Sequence, residues 1–443
     1  MNSTILRRPG TRDSSAPCTV VGVGIGPSNL SLAALAEPVA GLTSRFFERR
    51  CQFQWHPGQL LPGTTIQVSA LKDLVTLVDP TSRYSFLAFL ATNRRLYRFI
   101  AANFPAVRRS EFNQYYQWVS RQLPNLVFDA PVHAITHDHD GFRVHVGGGE
   151  VPARNIVLGT GLVPNVPDCC RPLLCDTLFH ASEFLDRSPV TRGKSVALIG
   201  GGQTAAELAL HLLSAAPEER STLSWLTRRP NFLPIDDSPF TNEHFMPSYS
   251  RYFFDLPWDR RRRLLEEQKL ESDGIARSLL EDIYRRIYEN AFLEPGPPLC
   301  QLLAGIELVD LRRDRYGWEM EIRDTSTGQH RGFRADVVIL CTGFVFRAPE
   351  CLAPLMERIH LRDGLFAVRD DFSIEWDGPR EHRIFAQNAA RHVRGIADPN
   401  LSLVAWRSAV ILNRIAGTAV YDVEDCGLSV EWGLPVKEEA GAR

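Results

Sequence analysis

The first apolar run, Thr19–Val23, ends in glycines and passes into an Ala/Leu-rich stretch, Leu30–Ala36. That order predicts strand, tight turn and helix start. A second apolar run closes at Phe46-Phe47-Glu48. Helical spacing then predicts one helix over Tyr84–Leu96 and another over Arg108–Leu123, with Phe112, Tyr115, Tyr116 and Val119 on one face. Short strands with polar breaks fill Val127–Val151, and Asn155–Gly161 reads as buried strand ending in Gly-Thr-Gly. Ser195–Glu207 repeats the opening order of strand, glycine turn and helix, and Leu223–Thr227 predicts the next strand. Ile235–Asn290 departs from sheet. It is polar and aromatic, then helical over Arg260–Lys269 and Ile275–Tyr288. Ala335–Phe344 is a further buried strand ending in Thr-Gly, followed by Ile384–Ala386 and a helix over Leu403–Ala416.

The two strand–turn–helix units carry the candidate chemistry. In the first, Gly24 and Gly26 allow a sharp turn and close approach, and Pro27, Ser28 and Asn29 open the helix whose free amides suit a pyrophosphate. Asn29 replaces the usual third glycine, so the packing there must tolerate a small side chain. Glu48 lies 19 residues beyond Asn29, where an acid holds a ribose hydroxyl. A glycine turn alone is weak evidence; the flanking strand, helix and spaced acid strengthen it. In the second unit Gly200, Gly202 and Ala205 form G-x-G-x-x-A, with Gln203 and Thr204 at the helix start. The following strand ends in Arg228-Arg229 where an NAD site carries an acid. Arginine there suits the 2′-phosphate of NADP, and solvated surface charge is the plain alternative. Two such sites in one chain point to FAD in the first and NADPH in the second, with hydride passing from nicotinamide to flavin.

Composition narrows the setting. A length of 443 residues suits two or three domains. The net charge of −2 gives no reason to expect nucleic acid or an anionic membrane as partner. Nine cysteines without a repeated spacing suggest reduced, mostly buried thiols and a cytoplasmic protein. No apolar run reaches the ~18 residues of a membrane span, and the polar start lacks a secretory core. His137, Asp138, His139 and Asp140 read as a solvated turn, so no metal is expected. The absence of a CxxC argues against a disulfide reductase.

Several segments together resemble the flavin-dependent N-hydroxylating monooxygenases of siderophore biosynthesis, over about residues 18 to 420. They are Gly24-x-Gly26-Pro27-Ser28-Asn29, Trp55-His56-Pro57-Gly58, Gln67-x-x-x-Leu71-Lys72-Asp73-Leu74-Val75 and Asp79-Pro80-Thr81-Ser82. Gly200-x-Gly202-Gln203-x-Ala205-Ala206-Glu207, Asp237–Glu243, Asp336–Phe344 and Gly395–Ser402 complete the set. The resemblance implies an α/β fold of two Rossmann-like, doubly wound nucleotide-binding domains with a small helical substrate segment. The implied boundaries are a flexible tail at 1–17, an FAD-binding part at 18–190 and an NADPH-binding domain at 191–335 with a helical insertion at 236–292. A second FAD-binding part at 336–425 and a tail at 426–443 follow.

The implied reaction is NADPH- and O2-dependent hydroxylation of a side-chain amine through a C4a-hydroperoxyflavin. Gln67 would sit beside the flavin and nicotinamide. Trp55 and His56 would line the flavin, with Val132, Asn400 and Leu401 as further cofactor contacts. Lys72 would meet the substrate carboxylate, Asn242 its α-amino and carboxylate end, and Ser402 the flavin and the amine. Ser272 stands where ornithine-specific members carry an asparagine. The segments Glu267–Ile275 and Ala405-Trp406-Arg407-Ser408 are more similar to the aerobactin-type L-lysine N6-monooxygenases. The resemblance therefore implies L-lysine as substrate, with ornithine, putrescine and cadaverine open. Baeyer–Villiger or sulfur oxidation is the more distant alternative. A homo-oligomer, dimer or tetramer, is a further expectation.

Overall fold

The computed structural model describes residues 16–297 and 299–433. The residues at 1–15 and 434–443 that the sequence reads as tails lie outside the described residues. Two sheets organise the chain, the first mixed and the second parallel throughout. In the first, Cys18–Val23 lies between Ser44–Phe47 and Gly149–Leu158, and Leu126–Val127 extends the edge. Gly149–Leu158 is long enough to serve two partners. Residues 149–153 pair antiparallel with Gly141–Val146, and 155–158 pair parallel with Arg383–Ala386. The late strand thus returns to the first sheet across more than two hundred residues of chain.

The second sheet runs Cys300–Ala304, Thr222–Thr227, Ser195–Ile199, Val337–Leu340 and Leu178–His180, all parallel. This corrects two boundaries. Leu178–His180 falls before 191 and Val337–Leu340 after 335, yet both belong to the second sheet. The reason is topological: sequential runs need not share a sheet, and Val337–Leu340, buried throughout, fits between two strands where both its edges are paired. A three-stranded antiparallel sheet, Ile306–Asp314, Gly317–Asp324 and His330–Ala335, covers this unit. Residues 236–292 are helical, in Pro247–Asp255, Trp258–Glu267, Lys269–Asp273 and Arg277–Phe292.

Two further expectations change. The helix predicted over Tyr84–Leu96 is two, Phe86–Thr92 and Leu96–Ala102, split at Arg94 with φ 56°. The stretch 426–433 is not free chain. Ser429 and Val430 donate their amides to the Glu243 carboxylate at 3.0–3.1 Å, and the Trp432 ring lies 4.6 Å from His244. All nine cysteines are free, with Cys170, Cys341 and Cys351 buried and Cys51 and Cys426 exposed. Among the described residues, no helix is long and apolar enough to cross a membrane.

Under the first turn lies a buried ion pair. Arg407 and Asp398 are each 1% exposed and meet at 2.8 Å. The guanidinium also reaches Gln387 Oε1 at 3.1 Å and Ser28 Oγ at 3.0 Å. The second Asp398 oxygen accepts from the Ala390 amide. Removing one member of such a pair strands the other charge in a dry interior, at about 3–5 kcal/mol. Arg407→Met is therefore expected to lower stability by that amount in urea unfolding, and Arg407→Met with Asp398→Asn to recover part of it. A single-variant loss under about 0.5 kcal/mol, as at the surface, would contradict this role.

Candidate functional site

Both glycine turns follow the carboxyl ends of parallel strands, where α/β sheets bind ligands. Gly24 has φ 83°, and a Cβ there would meet the Gly159 carbonyl at 2.6 Å, so only glycine fits. Helices Pro27–Ala36 and Gln203–Leu213 both begin at a glycine with no side-chain cap. Their first-turn amides therefore await an acceptor. Nothing comes closer than 3.8 Å to where a Cβ on Gly26 or Gly202 would stand. Uncapped amides beside open backbone fit a dinucleotide at each turn.

The Asn29 departure has a physical answer. Its amide nitrogen donates to the Gly24 carbonyl at 2.8 Å, and its oxygen accepts from Gln387 at 3.0 Å. A Cβ on Gly159 would sit 2.4 Å from that amide. Gly159, on the neighbouring strand's exit, supplies the room that the missing third glycine would have given. Glu48 steadies the same turn, accepting from Ile25 N at 2.8 Å and Arg50 N at 3.0 Å. Its remaining lone pairs can take a ribose hydroxyl.

A polar chain crosses between the units. Arg109, on helix Arg109–Ser120 beside the first sheet, makes two hydrogen bonds of 2.8 and 2.9 Å to Glu207, on the helix of the second glycine turn. Gln203 donates to Glu207 at 2.8 Å and accepts from Gln67 at 3.3 Å and from the Ala276 amide at 2.9 Å. Burial raises the Glu207 carboxyl above its ordinary value, and Arg109 and Gln203 oppose that. Gln67 thus sits at the seam of the two units.

Lys72 rides on a loop tied by Asp73. That buried carboxylate accepts from Val75 N, Thr76 N, Thr76 Oγ1 and Phe86 N at 2.6–2.9 Å. Burial still raises the Asp73 pKa. Lys72 Nζ is half-buried, 5.9 Å from the Phe245 ring centre, and burial lowers its pKa. Among the described residues no carboxylate pairs with it. The turn Thr241–Phe245 carries Phe245, exposed Asn242 and buried His244. Asn242 Nδ2 donates to the Asp237 carbonyl at 3.0 Å, and His244 Nδ1 meets Glu271 at 2.5 Å. Next to Glu271, the Ser272 hydroxyl donates to Asp273 at 2.9 Å.

The remaining expected contacts are unequal. Trp55 packs edge-on to Tyr116 at 5.3 Å and donates its amide to Asn113, so its ring belongs largely to the aromatic core. His56 has φ 47°, and its ring stands 5.3 Å from Trp55 and 6.4 Å from Phe344. The residue stays open to solvent on one side while protein crowds it on the other. Burial, then Arg109 and Arg50, push the imidazole down to about 4. Val132 begins a strand paired with Val146. Ser402 is 3% exposed, with its hydroxyl donating to Asn400 Oδ1 at 2.8 Å. Asn400 caps the turn Leu401–Leu403, and the Ser402 hydroxyl, donating within that turn, keeps its lone pairs to accept a further hydrogen bond. Arg228 is exposed with no carboxylate partner among the described residues. Arg229 is occupied by the Gly201 and Asp273 carbonyls at 3.0 Å. Asp138, His139 and Asp140 form an exposed cluster at a hairpin turn, with Arg143 tied to Asp138 and Asp140. His137 belongs to the strand instead, packed on Trp376 at 4.9 Å. Arg109, Phe245 and Arg391 had no role in the sequence reading; none stands in a motif of fixed spacing.

Comparison with known proteins places these features. Residues 17–346 match the family described as L-lysine 6-monooxygenase/L-ornithine 5-monooxygenase. The L-lysine N6-monooxygenase of Escherichia coli is 39% identical, covering 93% of this chain and 97% of its own. The FAD-bound cadaverine monooxygenase of the desferrioxamine pathway from Erwinia amylovora superposes with a TM-score of 0.90 at 31% identity, covering 96% of this chain and 100% of that one. An ornithine N-hydroxylase from Kutzneria, solved with reduced FAD, NADP+ and L-ornithine, gives 0.84 at 30%, covering 91% and 99%.

Glu207→Gln leaves Arg109 short of its counter-charge across the seam. Amide hydrogen exchange in helices Arg109–Ser120 and Gln203–Leu213 is expected to quicken relative to the rest of both sheets. Unchanged exchange in both helices would show that the bridge does not hold the units together.

Proposed function

We propose that this chain, which belongs to the L-lysine 6-monooxygenase/L-ornithine 5-monooxygenase family, hydroxylates the side-chain amine of L-lysine to N6-hydroxylysine with FAD and NADPH, in hydroxamate siderophore assembly. The observation that carries the choice of substrate is Lys72, a half-buried cation over the Phe245 face with no carboxylate paired to it among the described residues. A cation drawn from water without a partner favours an incoming carboxylate. Lysine brings one. Cadaverine and putrescine bring a second cation instead, which Lys72 repels. Ornithine shares the carboxylate and is one methylene shorter, a difference worth only about 1–3 kcal/mol in a fitted pocket.

The remaining roles follow the geometry. The first turn, with Gly24, Gly26 and the amides of Ser28 and Asn29, would hold the FAD pyrophosphate, and Glu48 its ribose. The second, with Gly200, Gly202, Gln203 and Thr204, would hold NADPH, with Arg228 at the 2′-phosphate. Bound there, the flavin supplies oxygen transfer and the nicotinamide supplies hydride. Gln67, hydrogen-bonded to Gln203, would present an amide to both rings. The substrate amine has an ordinary pKa of about 10.4 and must lose its proton to react. A site that sheds water favours the neutral form. Asn242 would receive the amino-acid end.

The cadaverine reading is the second one, favoured by the close superposition on the Erwinia amylovora enzyme. Lys72→Ala separates the two. The KM for L-lysine is expected to rise about tenfold to a hundredfold, the span of one charge-assisted contact, while the KM for NADPH stays level. An unchanged lysine KM would remove Lys72 from the substrate site. Arg228→Ala is expected to erode preference for NADPH over NADH in flavin reduction. If the preference survives, another group holds the phosphate.

A further inference from the structure

Arg391 is a cation with almost nothing to hold. Its Nε is buried without a hydrogen-bond partner. Its Nη2 has a single long contact, 3.4 Å to Ser272 Oγ. No carboxylate pairs with it among the described residues. An arginine offers five donors in a rigid fork, and leaving them unmet in a half-buried setting is costly. The two acids nearest in sequence to Ser272 are already engaged. Glu271 is hydrogen-bonded to His244, and Asp273 accepts the Ser272 hydroxyl. Ser272 therefore turns its oxygen lone pairs, not its proton, toward the guanidinium.

Arg391 also stands where the units meet. It lies four residues beyond Gln387, which is bonded to Ser28 and Asn29 beneath the first glycine turn. Ser272 adjoins Asp273, whose carbonyl accepts from Arg229 beside the second turn. On the other side of Glu271, His244 and Phe245 lead to Lys72. Arg391 thus touches the segment 271–272 directly, and Lys72 reaches the same helical insertion through Phe245; among the described residues neither cation has a carboxylate partner.

We propose that Arg391, steadied by Ser272, is a second cationic anchor for the substrate's α-carboxylate and a specificity-determining residue against diamines. This rests on the reading of the site as an amino-acid N-hydroxylase. The planar fork accepts both oxygens of a carboxylate, which a lysine ammonium cannot do with the same geometry. Lys72 and Arg391 together would make the carboxylate a requirement, where Lys72 alone makes it a preference.

The test is calorimetric titration of FAD-loaded protein with NADP+ present, using L-lysine and cadaverine as probes. In Arg391→Gln, L-lysine binding is expected to weaken about tenfold to a hundredfold, with cadaverine binding level or tighter. Arg391→Lys is expected to restore part of the loss. FAD content equal to wild type checks that each variant is folded. Undiminished lysine binding in Arg391→Gln overturns the proposal, and so does equal weakening of both amines, which marks a structural role. A wild-type protein that binds cadaverine and not L-lysine overturns the amino-acid reading itself, and this anchor with it.

Discussion

The hydrogen-bonded pair of Arg109 and Glu207 is the constraint on which the site depends. Two nucleotide-binding sheets can each fold around their own core, yet chemistry that passes electrons between them needs a fixed seam. The pair crosses that seam, and Gln203 joins it to Gln67 and to the helical segment at Ala276. Burial costs such a pair much of what the attraction returns. Its contribution is therefore to geometry: two parallel hydrogen bonds fix direction as well as distance. The raised carboxyl of Glu207 records the same tension between burial and partner.

Much of the fold was legible. The strand–glycine–helix order appears twice because a backbone turn that must face a phosphate leaves little freedom of sequence. Within 236–292 the helices near Arg260–Lys269 and Ile275–Tyr288 were readable, whereas Pro247–Asp255 was not singled out. The limits lay in pairing. Val337–Leu340 and Leu178–His180 are short and apolar, and nothing in such a run says which sheet will take it. The antiparallel unit over 306–335 did carry a signal, the alternation of Trp318, Met320 and Ile322 with polar residues, all three buried in the structure. Proximity across the chain was not legible. Gly159 making room for Asn29, and Arg407 meeting Ser28, join residues far apart in sequence.

The candidate site divides along the same line. The glycine turns and Glu48 stood out because a phosphate and a ribose constrain the residues that face them, whereas Gln67 was named only through the family resemblance. Ser402 was read as a contact, and the structure adds a hydrogen bond from its hydroxyl within its own turn that the sequence did not display. The Ala405–Ser408 segment looked like a mark of substrate class, yet Arg407 is an internal strut 1% exposed. Arg391 gave no signal, because an arginine's meaning lies in the absence of partners around it, which only three dimensions display.

What distinguishes the possible amines is charge at the far end of the chain, and the proposed roles of Lys72 and Arg391 set cations against that end. The most direct measurement is hydroxylamine formed per NADPH consumed, with L-lysine, L-ornithine, cadaverine and putrescine compared under identical conditions. The account predicts coupled product from L-lysine and little from either diamine. Coupled product from cadaverine in preference to L-lysine would contradict it.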